Sequence, residues 1–176
     1  MQNHTKVYTL TNIIIAITVI MYFIQTNLIN GSLYLGLNIY FFTAELYYQV
    51  LSTMFAHGGL EHLAMNMIVL WQVGNMLEYH IGKVRLFILY IVGGILTSIG
   101  TLAYMYYFND FSNVIGASGA ISVLFGYIAL KIKEQRMGMF IYILLISFVP
   151  LLFGMNIAWY SHLIGFAIGL ILGFVI

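Results

Sequence analysis

The chain has 176 residues and a mass of 20.0 kDa; 62% of its side chains are hydrophobic, 6% are charged, and its formal net charge is +1. Six Lys and Arg plus five Asp and Glu cannot solvate a soluble domain of this size, where about a quarter of residues are charged. The composition argues against a soluble globular protein and a disordered tail, the lack of a basic block against nucleic-acid binding, and the absence of cysteine against disulfides, thiolate metal sites and a Cys nucleophile. The expected fold is an all-α membrane protein: six transmembrane helices in a single bundle, forming one domain over residues 1–176.

Six hydrophobic segments fall at 10–28, 60–77, 84–106, 118–130, 138–153 and 158–176. A spanning helix needs about 20 apolar residues to cross about 30 Å of hydrocarbon. The first, third and sixth segments meet that length most easily. The first is too long for a signal peptide, and no small-x-small cleavage site follows it. The loop at 29–59 carries Tyr34, Tyr40, Phe41, Phe42, Tyr47 and Tyr48. Amphipathic rings prefer the headgroup level, so this first loop is expected to lie in the interface, although an ordinary aromatic belt accounts for the same residues. Lys6, Lys83, Arg85, Lys131, Lys133 and Arg136 all fall on one side of the six-span arrangement. The positive-inside rule then makes both termini cytoplasmic and puts the loops of Glu45, Asp110 and Asn156 outside, in a multi-pass protein of the cell membrane.

Polar groups inside spans are costly, which makes each a functional candidate. The second span opens with His57, Glu61, His62 and Asn66. His62 and Asn66, four apart, share one helix face; His57, about 140° away from His62 if helical, need not point to the same place. The fourth segment begins at Gly116-Ala117-Ser118-Gly119 and ends before Lys131. Its 13 residues make only about 20 Å of helix, too short for the bilayer. This fourth helix is therefore expected to be short and buried, starting about 10 Å below the outer surface after an irregular segment that dips into the membrane. That puts Ser118 at a helix N-terminus; the same small residues also suit helix packing. In the sixth span His162 is followed by Gly165, Gly169 and Gly173, a smooth stripe that fits Gly119 and Gly126 of the fourth. Close contact of these two helices brings His162 toward Ser118, the minimal activated nucleophile.

Three motifs, His57-x4-His62-x3-Asn66, Gly116-Ala117-Ser118-Gly119 and His162-x2-Gly165-x3-Gly169, in order and on the right spans, resemble the rhomboid intramembrane serine proteases. Glu78 matches the acidic residue common at the cytoplasmic end of span two. The resemblance covers the whole chain. It implies Ser118 as nucleophile and His162 as general base, a dyad without an acid. It also implies an oxyanion hole of His62, Asn66 and the Ser118 backbone N–H, structural roles for His57 and Glu78, and helix packing at Gly116, Gly119, Gly165 and Gly169. The implied partners are transmembrane protein substrates and the lipid bilayer, with no cofactor, no metal and no nucleic acid. Two features depart from the family: Tyr48 and Gln49 stand where a Trp-Arg pair is frequent, and Ser122 where an aromatic usually supports the catalytic His.

Other chemistries fit less well. A membrane zinc protease wants His-Glu-x-x-His, and the sequence has only Glu61-His62. A haem or quinone site would need His80, which falls at the far end of the span from the other histidines. A transporter built on a broken fourth helix would be expected to show an internal repeat, and none is detectable. The remaining alternative is a catalytically inactive rhomboid-like protein that binds membrane proteins; such relatives usually lack the Ser or the His, and this chain keeps both. The fifth segment has no small-x-x-x-small stripe, so it should pack loosely and leave a lateral entrance between spans two and five.

Overall fold

The computed structural model describes residues 9–176, so Lys6 lies outside the described residues. Regular structure there is helical: α1 (Leu10–Asn27), α2 (Gly31–Leu35), α3 (Gln49–Ser52), α4 (Leu60–Phe87), α5 (Gly93–Phe108), α6 (Ser118–Lys131), α7 (Arg136–Leu152) and α8 (Trp159–Val175). No strand occurs among the described residues, only an isolated antiparallel bridge between Leu37 and Val114.

α4 and α5 form one long apolar stretch that breaks at Gly82, where φ is 81° and ψ 166°. A positive φ costs glycine little and other residues more. The break falls beside Lys83 and Arg85, where charge ends the apolar run. α1 runs antiparallel to α4, tied to α4 itself at one end and to the segment just before it at the other. Glu78 of α4 accepts hydrogen bonds from Leu10 N, Thr11 N and Thr11 Oγ1, each 2.9 Å. The two backbone N–H groups are free donors of the α1 N-terminus, where the helix dipole also favours a carboxylate. At the other end, the Gln25 amide donates to His57 O (2.8 Å) and accepts from His57 N (2.9 Å).

α6 is the axis of the molecule. It is apolar on every side, and every residue from Gly119 to Ala129 is buried. α8 packs on it most extensively, with α4, α5 and α7 also in contact. α6 and α8 run parallel at backbone contact: a Cβ on Gly126 would collide with Phe166 O, one on Gly169 with Val123 O, and one on Gly165 with Gly119 O. At the far end of α6, Arg136 Nε donates to Ala129 O (3.0 Å), satisfying a carbonyl that has no partner in the helix.

α7 is the opposite case. Only Ile143 and Ser147 are buried in it, and it packs on α6 and α8 while hardly touching α4. Ile141, Leu144 and Leu145 of α7, like Ile13, Ile17 and Ile20 of α1, are exposed. An apolar surface this continuous would associate in water and is suited to lipid.

The chain between α5 and α6 is irregular, so its backbone polar groups need partners. The segment between α1 and α4 supplies several. Leu37 and Val114 exchange two backbone hydrogen bonds of 2.8 Å, Gly116 N donates to Thr53 O (3.0 Å), and Thr53 Oγ1 donates to Val114 O (2.6 Å). Gln49, fully buried, donates to Leu33 O and Tyr34 O at 3.1 Å each. It thereby knits the first loop together from a position that departs from the family pattern. Phe41 is buried there, while Tyr34, Tyr40, Phe42, Tyr47 and Tyr48 remain exposed. Tyr106 of α5 holds the loop from the other side, donating to Ile39 O at 2.6 Å.

Candidate active site

Ser118 is the first residue of α6, and the preceding Gly116 has φ +130°. The chain turns sharply there and leaves the serine half-buried, facing α8. His162 lies in the first turn of α8 and is 9% exposed. Its Nε2 is 3.0 Å from Ser118 Oγ, a hydrogen-bond distance between residues 44 apart in sequence. The glycine contacts create this approach, because α6 and α8 begin at the same end and run side by side.

The two other polar residues of the same region come from α4. The His62 ring lies against Gly116, where a Cβ would fall 2.7 Å from its Cε1. Gly116 lies before α6 with a positive φ, and its missing side chain makes room for the His62 imidazole of α4. Gly119, by contrast, faces α5 and α8, with Thr97 Cγ2 and Ser161 Oγ about its absent Cβ. Asn66 is buried one turn beyond His62 and donates one amide hydrogen to His62 O at 2.9 Å. The second amide hydrogen remains for another acceptor. The N–H groups that open α6 have no intrahelical partner and point toward the same end.

His57 requires a correction. It precedes α4 rather than opening it, so the helical angle expected for it does not apply. Its ring packs edge-on to His62, with centroids 5.1 Å apart. It is 1% exposed, and burial first, with the His62 ring second, pushes its pKa down to about 4. A neutral His57 can accept through Nε2, and Ala117 N lies 3.4 Å from that atom. The backbone just before Ser118 is thus held by His57, itself fastened to Gln25 of α1.

Ser122 sits beneath Gly165, whose absent Cβ would lie 3.1 Å from Ser122 Cβ. Its hydroxyl donates back to Ser118 O at 2.7 Å and does not reach His162. The group that does reach the other side of the imidazole is Ser147 of α7, with Oγ 3.4 Å from His162 Nδ1. Sequence reasoning missed it, although a serine in an apolar span was the available signal.

The α6–α8 contact makes a quantitative expectation. Gly169→Val would force a side chain into Val123 O and Tyr127 N, both rigid backbone. Overpacking typically costs about 1–3 kcal/mol, and a shift near 1 Å at a reacting pair costs about a hundredfold in rate. The variant is expected to show a lowered melting temperature and at least a tenfold loss of serine labelling by a fluorophosphonate. Wild-type labelling would mean that this contact does not set the Ser118–His162 distance.

The bundle and its site define a class: a polytopic membrane protein with a serine and a histidine hydrogen-bonded between two of its helices. A model of the rhomboid domain matches residues 44–176. The chain is 33% identical over 137 residues to RHOMBOID-like protein 4 of Arabidopsis thaliana, covering 73% of this chain and 34% of that protein. It is 33% identical over 92 residues to the rhomboid protease GluP of Bacillus subtilis, covering 51% and 17% of the two chains. It is 29% identical over 133 residues to the rhomboid protease GlpG of Klebsiella pneumoniae, covering 70% and 46%. The chain belongs to the rhomboid family. It spans less than half the length of each of these three relatives.

Proposed function

We propose that this chain is an intramembrane serine protease acting on transmembrane segments of other membrane proteins, with Ser118 as nucleophile and His162 as general base. The observation that carries the reading is the 3.0 Å contact between Ser118 Oγ and His162 Nε2. In this mechanism the imidazole takes the hydroxyl proton as Oγ attacks the scissile carbonyl. The oxyanion is met by the Ser118 N–H, the free amide hydrogen of Asn66 and the His62 ring. The imidazolium returns its proton to the leaving amine, and water, activated by the same base, releases the acyl group.

The reading includes a single domain of six spans, formed by α1, α4, α5, α6, α7 and α8, with both termini cytoplasmic in the cell membrane. In that orientation the start of α6 lies toward the outer side, and Lys83, Arg85, Lys131, Lys133 and Arg136 face the cytoplasm. A substrate helix must unwind locally, because its carbonyls are hydrogen-bonded, so helix-destabilising residues near the cut favour cleavage. The weak packing of α7 against α4 supports lateral entry between them. The test is cleavage of a reporter transmembrane substrate by the purified protein in liposomes. Products carrying new termini near the outer end of the span are expected. An intact substrate under conditions where the protein is folded would favour a rhomboid-like binding protein instead.

A further inference from the structure

From Ile143 to Pro150, Ser147 is the only polar side chain of α7. It is fully buried on a helix that otherwise buries only Ile143. A hydroxyl in such a place is costly without a partner. Its Oγ lies 3.4 Å from His162 Nδ1, the ring nitrogen that faces away from Ser118. The next residue, Phe148, packs its ring against Trp159 at a centroid distance of 5.6 Å. Trp159 opens α8, three residues before His162. Two consecutive residues of α7 therefore pin it to the first turn of α8, one by a ring contact and one by a hydroxyl on the imidazole itself.

An imidazole that accepts a proton at Nε2 must carry its own hydrogen at Nδ1. That N–H needs an acceptor, most of all when the ring becomes positively charged. A Ser–His–Asp triad provides a carboxylate there. The Ser147 hydroxyl can accept as well as donate, and His162 Nδ1 is its one hydrogen-bond partner among the described residues. We propose that Ser147 is a positioning residue: its hydroxyl accepts the Nδ1–H of His162, selects the tautomer with Nε2 free for Ser118, and steadies the imidazolium as it forms. This rests on the reading of Ser118 and His162 as the catalytic pair. A contact of 3.4 Å is long for a resting hydrogen bond and shortens when one partner is charged. Its contribution then falls mainly on the transition state, so the loss should appear in kcat and not in KM.

The experiment compares wild type, Ser147→Ala and Ser147→Thr in liposomes, with cleavage kinetics on one transmembrane substrate and melting temperatures for all three. Ser147→Ala removes one small buried hydroxyl while the Phe148–Trp159 contact stays, so its melting temperature is expected to fall by no more than a few degrees. Its kcat should fall about tenfold, the scale of one hydrogen bond, with KM unchanged. Ser147→Thr keeps the hydroxyl and should recover most of kcat. An unchanged kcat in Ser147→Ala, a loss confined to KM, or a Thr variant as impaired as the Ala variant overturns the positioning role. If wild type neither cleaves nor takes a serine-directed label, the catalytic reading itself fails, and the role of Ser147 falls with it.

Discussion

Ser118→Ala is expected to abolish cleavage and leave the fold intact. The hydroxyl lost is the one at 3.0 Å from His162 Nε2. Its neighbours Ala117, Gly119 and Ala120 are small, buried and already close-packed, so no large cavity opens. Removing a nucleophile from a hydroxyl–imidazole pair typically costs on the order of 10⁴-fold or more in kcat. The backbone position at the start of α6 stays, held by His57 against Ala117 N and by Thr53 O against Gly116 N. The melting temperature should therefore change little. A serine-reactive fluorophosphonate is expected to label wild type and not this variant. Labelling that persists in Ser118→Ala, or cleavage at a comparable rate, would put the nucleophile elsewhere.

The all-helical fold was legible because apolar runs and charges alternate so sharply. Gly116 to Ser118 and Lys131 bracket a run too short for a bilayer, and α6 occupies 118–131. The glycine spacing in α8 likewise carries a geometric message, since residues four apart line one face. What could not be read was how irregular backbone folds. A helical wheel turns His57 away from His62, yet it sits in the loop before α4, where loop geometry brings its ring to His62. For Gly116, the positive φ and the His62 ring beside it are tertiary facts. Gln49 shows the same limit. One amide joins Leu33 O and Tyr34 O across a loop with no periodic pattern. Ser147 was different, because the polar-in-span rule applied to it. Its meaning depended on which face of α7 met α8, and the sequence of an apolar helix does not reveal that.

His162→Ala and Asn66→Ala are expected to separate base chemistry from oxyanion stabilisation. Asn66 has no group that titrates near neutral pH, so it cannot be the base; it can donate to a developing oxyanion. One of its amide hydrogens is already given to His62 O at 2.9 Å, which fixes the amide plane and leaves the other hydrogen for the reaction. Losing one oxyanion donor typically lowers kcat by about 10²–10³, and the His62 ring and the Ser118 N–H would soften that loss. Asn66→Ala should keep measurable cleavage with the pH profile of wild type. His162→Ala removes the only imidazole within hydrogen-bond distance of Ser118 Oγ among the described residues. With the base gone, Ser118 attacks as a neutral alcohol, and cleavage should fall on the order of 10⁴-fold, below that of Asn66→Ala. Side-by-side pH–rate series on one transmembrane substrate make the comparison. Should His162→Ala retain more activity than Asn66→Ala, the assignment of roles fails. Ser147 would then be the first residue to revisit, because its hydroxyl is the group on the other face of that imidazole.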